Sequence, residues 1–149
     1  MLSTDGVTIW DTNGVDWEPF AGADGVRMKV LARDEGGAPS VFLLWVAAGQ
    51  SKLPRLARPH FKANFRERGL VLSGEIGMRE YADASDAVGI PVTLRSGYYV
   101  DRSPGGIHGS DPEAPADQDF LWLQWYEWVG DGPARDPQSD VVLLDRCNG

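Results

Sequence analysis

The chain has 149 residues, with 18 Gly, 10 Pro, 42% apolar content and six Trp, enough apolar material to build a core without disulfides. Its 14 basic and 22 acidic side chains leave a net charge of −8, which is repelled by a phosphate backbone and by an anionic bilayer, so neither nucleic acid nor a membrane is an expected partner. The single cysteine, Cys147, cannot bridge internally and suits a reducing compartment. The opening MLSTDGVTIW has neither a basic nor an apolar targeting region, and the longest apolar run, residues 41–48, is too short to span a bilayer, so a cytoplasmic protein is expected.

Taken in chain order, VRMKVLA at residues 26–32 alternates Val26, Met28 and Val30 with Arg27 and Lys29, the period of a strand with one wet face. After the turn DEGGAPS, VFLLWVAA is continuously apolar and β-branched or aromatic, which predicts a strand buried on both faces and ended by Gly49. Residues 70–81, LVLSGEIGMREY, place Ser73 and Gly74 between two extended runs and predict a tight hairpin. TLRSGYYVD and DFLWLQWYEWV predict two further strands, divided by a Gly, Pro and Asp rich segment from Arg102 to Asp117. In the last strand Phe120, Trp122, Gln124, Tyr126 and Trp128 share one face; its rings are expected in the core or a subunit contact, with Gln124 reaching into a pocket. No window carries a helical period, so the expectation is an all-β barrel or sandwich, a single domain over residues 1–149.

Residues 51–69, SKLPRLARPHFKANFRERG, concentrate Lys52, Arg55, Arg58, Lys62, Arg66 and Arg68 against Glu67 alone. Two readings stand side by side: a solvated loop and strand edge kept unpaired by cations, or an electropositive mouth that draws in an anionic or enolate-like substrate. For Glu67, the structural alternative to a chemical role is a salt bridge to Arg66, Arg68 or Arg79.

The two histidines each sit in a frame. PHFKANFRERGLVLSGE at residues 59–75 holds His60, then Glu67, then Gly74 in the turn; GYYVDRSPGGIHG at residues 97–109 ends in Pro104, Gly105 and His108. These motifs, spanning residues 49–109, resemble the cupin superfamily. The resemblance implies a double-stranded β-helix, or jelly-roll, barrel whose first motif covers about residues 49–75 and whose second covers about residues 97–109. It also implies that His60, Glu67 and His108 hold a divalent metal, Fe(II) in preference to Zn, Mn or Ni. Two imidazoles and a carboxylate leave open positions for oxygen or a chelating substrate.

Lys62 stands where the family has its second histidine, and an ammonium there is repelled by a divalent cation unless it is displaced or deprotonated; turned to the substrate, it orients a carboxylate or polarises a carbonyl. SKLPRLA reads as an insertion at the barrel mouth. The resemblance is nearest in style to small single-domain dioxygenases acting on diketones or hydroxyaryl substrates, with Lys62, Gln124 and Tyr98 beside the reacting molecule, since alternation turns Tyr98 or Tyr99 inward. The alternatives are a metal-dependent lyase, isomerase or cyclase that stabilises an enolate, and a non-catalytic barrel in which Lys62 replaces the metal to bind a small ligand. The partners expected are a small-molecule substrate and a second copy of the chain in a homodimer.

Overall fold

Period-two alternation decides which side chains face inward, and it assembles two antiparallel sheets in the computed structural model of the protein, which describes residues 2–4, 6–20, 24–50 and 58–144. Lys52, Arg55, the rest of the SKLPRLA segment and Cys147 lie outside the described residues. A small ribbon pairs β1 (Leu2–Thr4) with β2 (Val7–Ile9). Strands β3 (Glu18–Pro19), β4 (Val26–Arg33), β5 (Pro39–Val46), β7 (Phe65–Ser73), β10 (Tyr99–Arg102) and β12 (Phe120–Trp128) form a six-stranded sheet in the order β10-β7-β12-β5-β4-β3. Strands β6 (His60–Lys62), β8 (Glu75–Tyr81), β9 (Ile90–Arg95), β11 (Ile107–Ser110) and β13 (Val141–Leu143) form a five-stranded sheet in the order β13-β6-β11-β8-β9. A 3₁₀ turn at Thr12–Gly14 is the only helical element among the described residues, and no helix there is long and apolar enough to cross a membrane.

Both sheets contribute to one core. Phe42, Leu44 and Val46 of β5, Val71 of β7 and Phe120 and Trp122 of β12 meet Ile76, Met78 and Leu94 of β8 and β9 across the interior. The fold is the expected all-β jelly-roll. Trp122 pairs with Val71 on β7, and its indole fits because the diagonal neighbour there is Gly69, where an added Cβ would come within 2.1 Å of the indole nitrogen. In β5 only the inward Phe42, Leu44 and Val46 are buried; Val41, Leu43 and Trp45 are half-buried, so the expectation of two buried faces holds on one side only.

Three local expectations are corrected by the pairing. Ser73 and Gly74 do not close a hairpin: β7 pairs with β10 and β12, whereas β8 pairs with β9 and β11, so the chain crosses from one sheet to the other at Gly74. The corner needs glycine, with φ of +77° and an added Cβ only 2.7 Å from the Asp119 carbonyl oxygen. TLRSGYYVD is not one strand, because Gly97 at φ +86° turns the chain between β9 and β10. The Arg102 to Asp117 segment is not all loop, since it contains β11.

Candidate functional site

The inward positions of seven strands, β4, β5, β6, β7, β8, β11 and β12, converge between the sheets on one small cavity. His60 and Lys62 alternate inward on β6, and His108 and Ser110 do so on β11. Glu67 enters from β7, and Gln124 and Tyr126 from β12. The opposite end is apolar, with Val26, Leu44 and Met78. His60 and His108 are direct cross-strand partners, which brings their ring centroids to 4.5 Å at an interplanar angle of 54°.

Lys62 from one sheet reaches Glu67 of the other: Nζ lies 3.3 Å from Oε2, and the ammonium sits over the Tyr126 ring, 4.9 Å from its centroid. The other carboxylate oxygen of Glu67 accepts from Arg102 Nη1 at 2.8 Å. Arg102 is the cross-strand partner of Glu67 on β10, and it also donates from Nε and Nη2 to Glu80 on β8. Lys62, Glu67 and Arg102 are all buried. Burial opposes the Lys62 charge, but Tyr126 and Glu67 outweigh it and hold the group above its ordinary range, so the ammonium stays charged at neutral pH. Arg102 behaves alike: Glu67 and Glu80 overcome its desolvation. Burial pushes the Tyr126 phenol up to about 12, against the pull of Lys62, and its oxygen accepts from Gln124 Nε2 at 3.1 Å.

Both imidazoles are held by backbone carbonyls. His60 Nδ1 lies 2.8 Å from the Arg58 carbonyl oxygen, and His108 Nδ1 lies 3.2 Å from that of Gly106. A carbonyl only accepts, so each Nδ1 carries a proton, and His108, being neutral, presents an Nε2 lone pair. Burial, with Arg102 next and His60 and Lys62 adding to it against the pull of Glu67, drives His108 well below the usual histidine range.

The expected metal ligands therefore converge, yet the set does not fit a divalent ion. The imidazole tautomers suit one, with His108 Nε2 at 3.8 Å from Glu67 Oε1. The carboxylate does not: both of its oxygens are committed to cations, and an added ion would stand beside a buried ammonium and a buried guanidinium. Among the described residues no set of three or more His, Cys, Asp or Glu side chains is arranged to hold a metal.

Of the remaining expected site residues, Gln124 is buried at the cavity, and Tyr98 is not there. Tyr98 stands in the turn before β10 and is exposed, and Tyr99 faces outward with its ring 6.1 Å from that of Trp125. Neither tyrosine turns inward because Gly97 restarts the alternation, which gives Val100 and Arg102 the inner face. The electropositive mouth is also corrected where the residues are described. Arg66 and Arg68 lie on the outer face, paired with Asp101 and Glu127, and Arg79 pairs with Asp111, so none of the three anticipated arginines neutralises Glu67. Arg102 and Tyr126 were not anticipated at the site. Period two counted on from Val100 marks Arg102, and the face shared with Gln124 marks Tyr126.

No family model matches the sequence, and no curated protein matches it. Solved structures do. A predicted oxalate decarboxylase from Thermotoga maritima superposes with a TM-score of 0.62 at 16% identity, covering 82% of this chain and 100% of that one. The capsular polysaccharide assembling protein CapF from Staphylococcus aureus gives 0.61 at 18% identity, over 89% of this chain and 34% of CapF. The Drosophila melanogaster CENP-C cupin domain gives 0.56 at 12% identity, over 80% of each chain. The chain has the cupin fold.

Proposed function

We propose that the barrel binds a small neutral carbonyl compound without a metal, the Lys62 ammonium receiving the carbonyl oxygen. The observation that carries this reading is Lys62 itself, buried and charged at the wall of the cavity and held on Glu67. Charge balance supports a neutral ligand. Lys62 and Arg102 are matched by Glu67 and Glu80, so an anion would bring an uncompensated charge into a low-dielectric interior, whereas a carbonyl dipole brings none. This departs from the iron-dependent dioxygenase that the resemblance implies, because that chemistry needs an ion where the ammonium stands. In isothermal titration with acetophenones, Lys62→Met is expected to weaken binding by at least about tenfold, the scale of a hydrogen bond to a charged group. Binding indifferent to that substitution would reject the reading.

A second reading, enolisation, is favoured by His108 facing the same cavity as Lys62 with Nε2 unprotonated. A proton passes from the carbon beside the carbonyl to Nε2, and the electron pair of the broken C–H bond moves into the enolate, whose oxygen is held by Lys62. Exchange of that proton for deuterium, followed by NMR, is expected in the wild type and lost in His108→Gln. Binding with no exchange leaves a binding module.

The partner proposed is a second copy of the chain, seated on the outer face of the six-stranded sheet. Leu72 and Tyr99 are exposed there, Tyr99 beside Trp125, and Arg66, Arg68, Asp101 and Glu127 supply both signs of charge to a two-fold copy. Light scattering after gel filtration is expected to give twice the chain mass, falling to the chain mass in Leu72→Glu.

A further inference from the structure

The cavity at Lys62 and His108 leaves about 30 Å³, room for water-sized occupants alone, so a ketone does not reach it while the barrel stays closed. A second cavity of about 20 Å³ shares Tyr126 and Gln138 with the first and is also lined by Asp136 and Pro137. These wall residues belong to the connection from β12 to β13, residues 129–140, which passes from the six-stranded sheet to the edge of the five-stranded one. Both ends of that connection are fastened to one residue. The Val129 amide donates to the Asn64 carbonyl oxygen at 2.9 Å, and the Asp140 carboxylate accepts from the Asn64 amide and Nδ2, each at 2.9 Å. Between these ends residues 131–136 are exposed. Among the described residues the hydrogen bonds of residues 133–138 stay within the segment, where Asp136 accepts from Gln138 and Ser139. What seats the segment is Pro137, buried at the cavity that Met28, Pro39 and Phe42 line, with Gln138 half-buried beside it. The neighbouring strands are instead held by continuous ladders. A surface loop closed at its base, bonded to itself and plugged by one apolar side chain opens at a lower free energy than a laddered strand.

We propose that residues 131–138 form a lid over the barrel: withdrawing Pro137 and Gln138 joins the two cavities into one pocket along Tyr126 and admits a ligand to Lys62 and His108. The lid rests on the reading of that cavity as a ligand site. It supplies the entry which that reading requires.

Access to the cavity is measured without any ketone by acylating its imidazoles with diethyl pyrocarbonate, a reagent much larger than water. The chain has two histidines, both buried at this cavity, and mass spectrometry of the peptide carrying His108 follows the reaction. In the wild type the rate is expected to stay flat in low urea, because lifting a lid exposes little surface. In Pro137→Gly, which lacks the plug, it is expected to rise at least about tenfold. Should that variant fail to fold, the milder Pro137→Ala takes its place. A wild-type rate that climbs with urea in step with global unfolding, or a rate that the substitution at Pro137 leaves unchanged, overturns the lid. The Lys62 reading is decided separately by the acetophenone titrations. Ketone binding that Lys62→Met weakens, with His108 reached only through unfolding, overturns the lid alone; a lid that opens as expected while no ketone binds overturns the Lys62 reading alone.

Discussion

Replacing Glu67 with glutamine is expected to lower the stability of the fold by about 3–5 kcal/mol, the range for removing one partner of a buried ion pair. Among the described residues Glu67 is the only carboxylate ion-paired with the buried Lys62, and it shares Arg102 with Glu80. Glutamine keeps the volume and one accepting oxygen, so the loss isolates charge from packing. Lys62 is then left as a buried cation without its carboxylate partner among the described residues. For a chain of this length the loss corresponds to a fall in thermal midpoint on the order of 10 °C. The double variant Glu67→Gln, Lys62→Met checks the cause: removing the stranded ammonium is expected to recover part of the loss, with a coupling of about 0.5–3 kcal/mol. Asp101→Asn is the contrasting case. Its partners Arg66 and Arg68 are solvent-exposed or half-exposed, so its midpoint is expected to stay close to the wild type. A Glu67→Gln variant as stable as Asp101→Asn would show that the buried cluster does not hold its charges as described.

The parts of the fold legible in the sequence are those fixed by local alternation. The inner face Phe120, Trp122, Gln124 of β12 follows from period two alone, and the same pattern marks β4. What alternation does not carry is the choice of partner strand. Gly74 was legible as a tight turn, but whether the strands on either side pair with each other or part into two sheets depends on the close approach to Asp119 and Phe120, far away in sequence. The site divides in the same way. His60, Lys62, Glu67 and His108 were legible because two motifs frame them; the meeting of the two histidines follows from the β6–β11 register, whereas Glu67 reaches them from the other sheet. Arg102 sits at the end of a strand where a Gly and Pro rich segment begins, so its inward direction was hidden by the loop-like composition after it. Ser110 was hidden for the same reason, inside a strand of four residues.

Wild-type protein purified without chelator is expected to carry far less than one divalent ion per chain, even from medium enriched in iron, zinc, manganese and nickel, and Lys62→His is expected to raise this toward one. The argument is electrostatic. At position 62 the side chain points inward beside His60 and ends on Glu67 Oε2. As an ammonium it occupies the carboxylate oxygen that an ion needs and opposes the ion's charge, and because Tyr126 and Glu67 hold it above the ordinary lysine range, proton loss near neutral pH does not relieve the opposition. An imidazole at the same position is neutral, brings a third nitrogen lone pair to the cavity and returns Oε2 of Glu67 to service, while Arg102 keeps the other oxygen and the carboxylate's orientation. Elemental analysis by mass spectrometry reads both halves. A wild type with one tightly bound ion would mean that Lys62 swings away from Glu67 to admit it, and the ammonium would then lose its place as the carbonyl anchor.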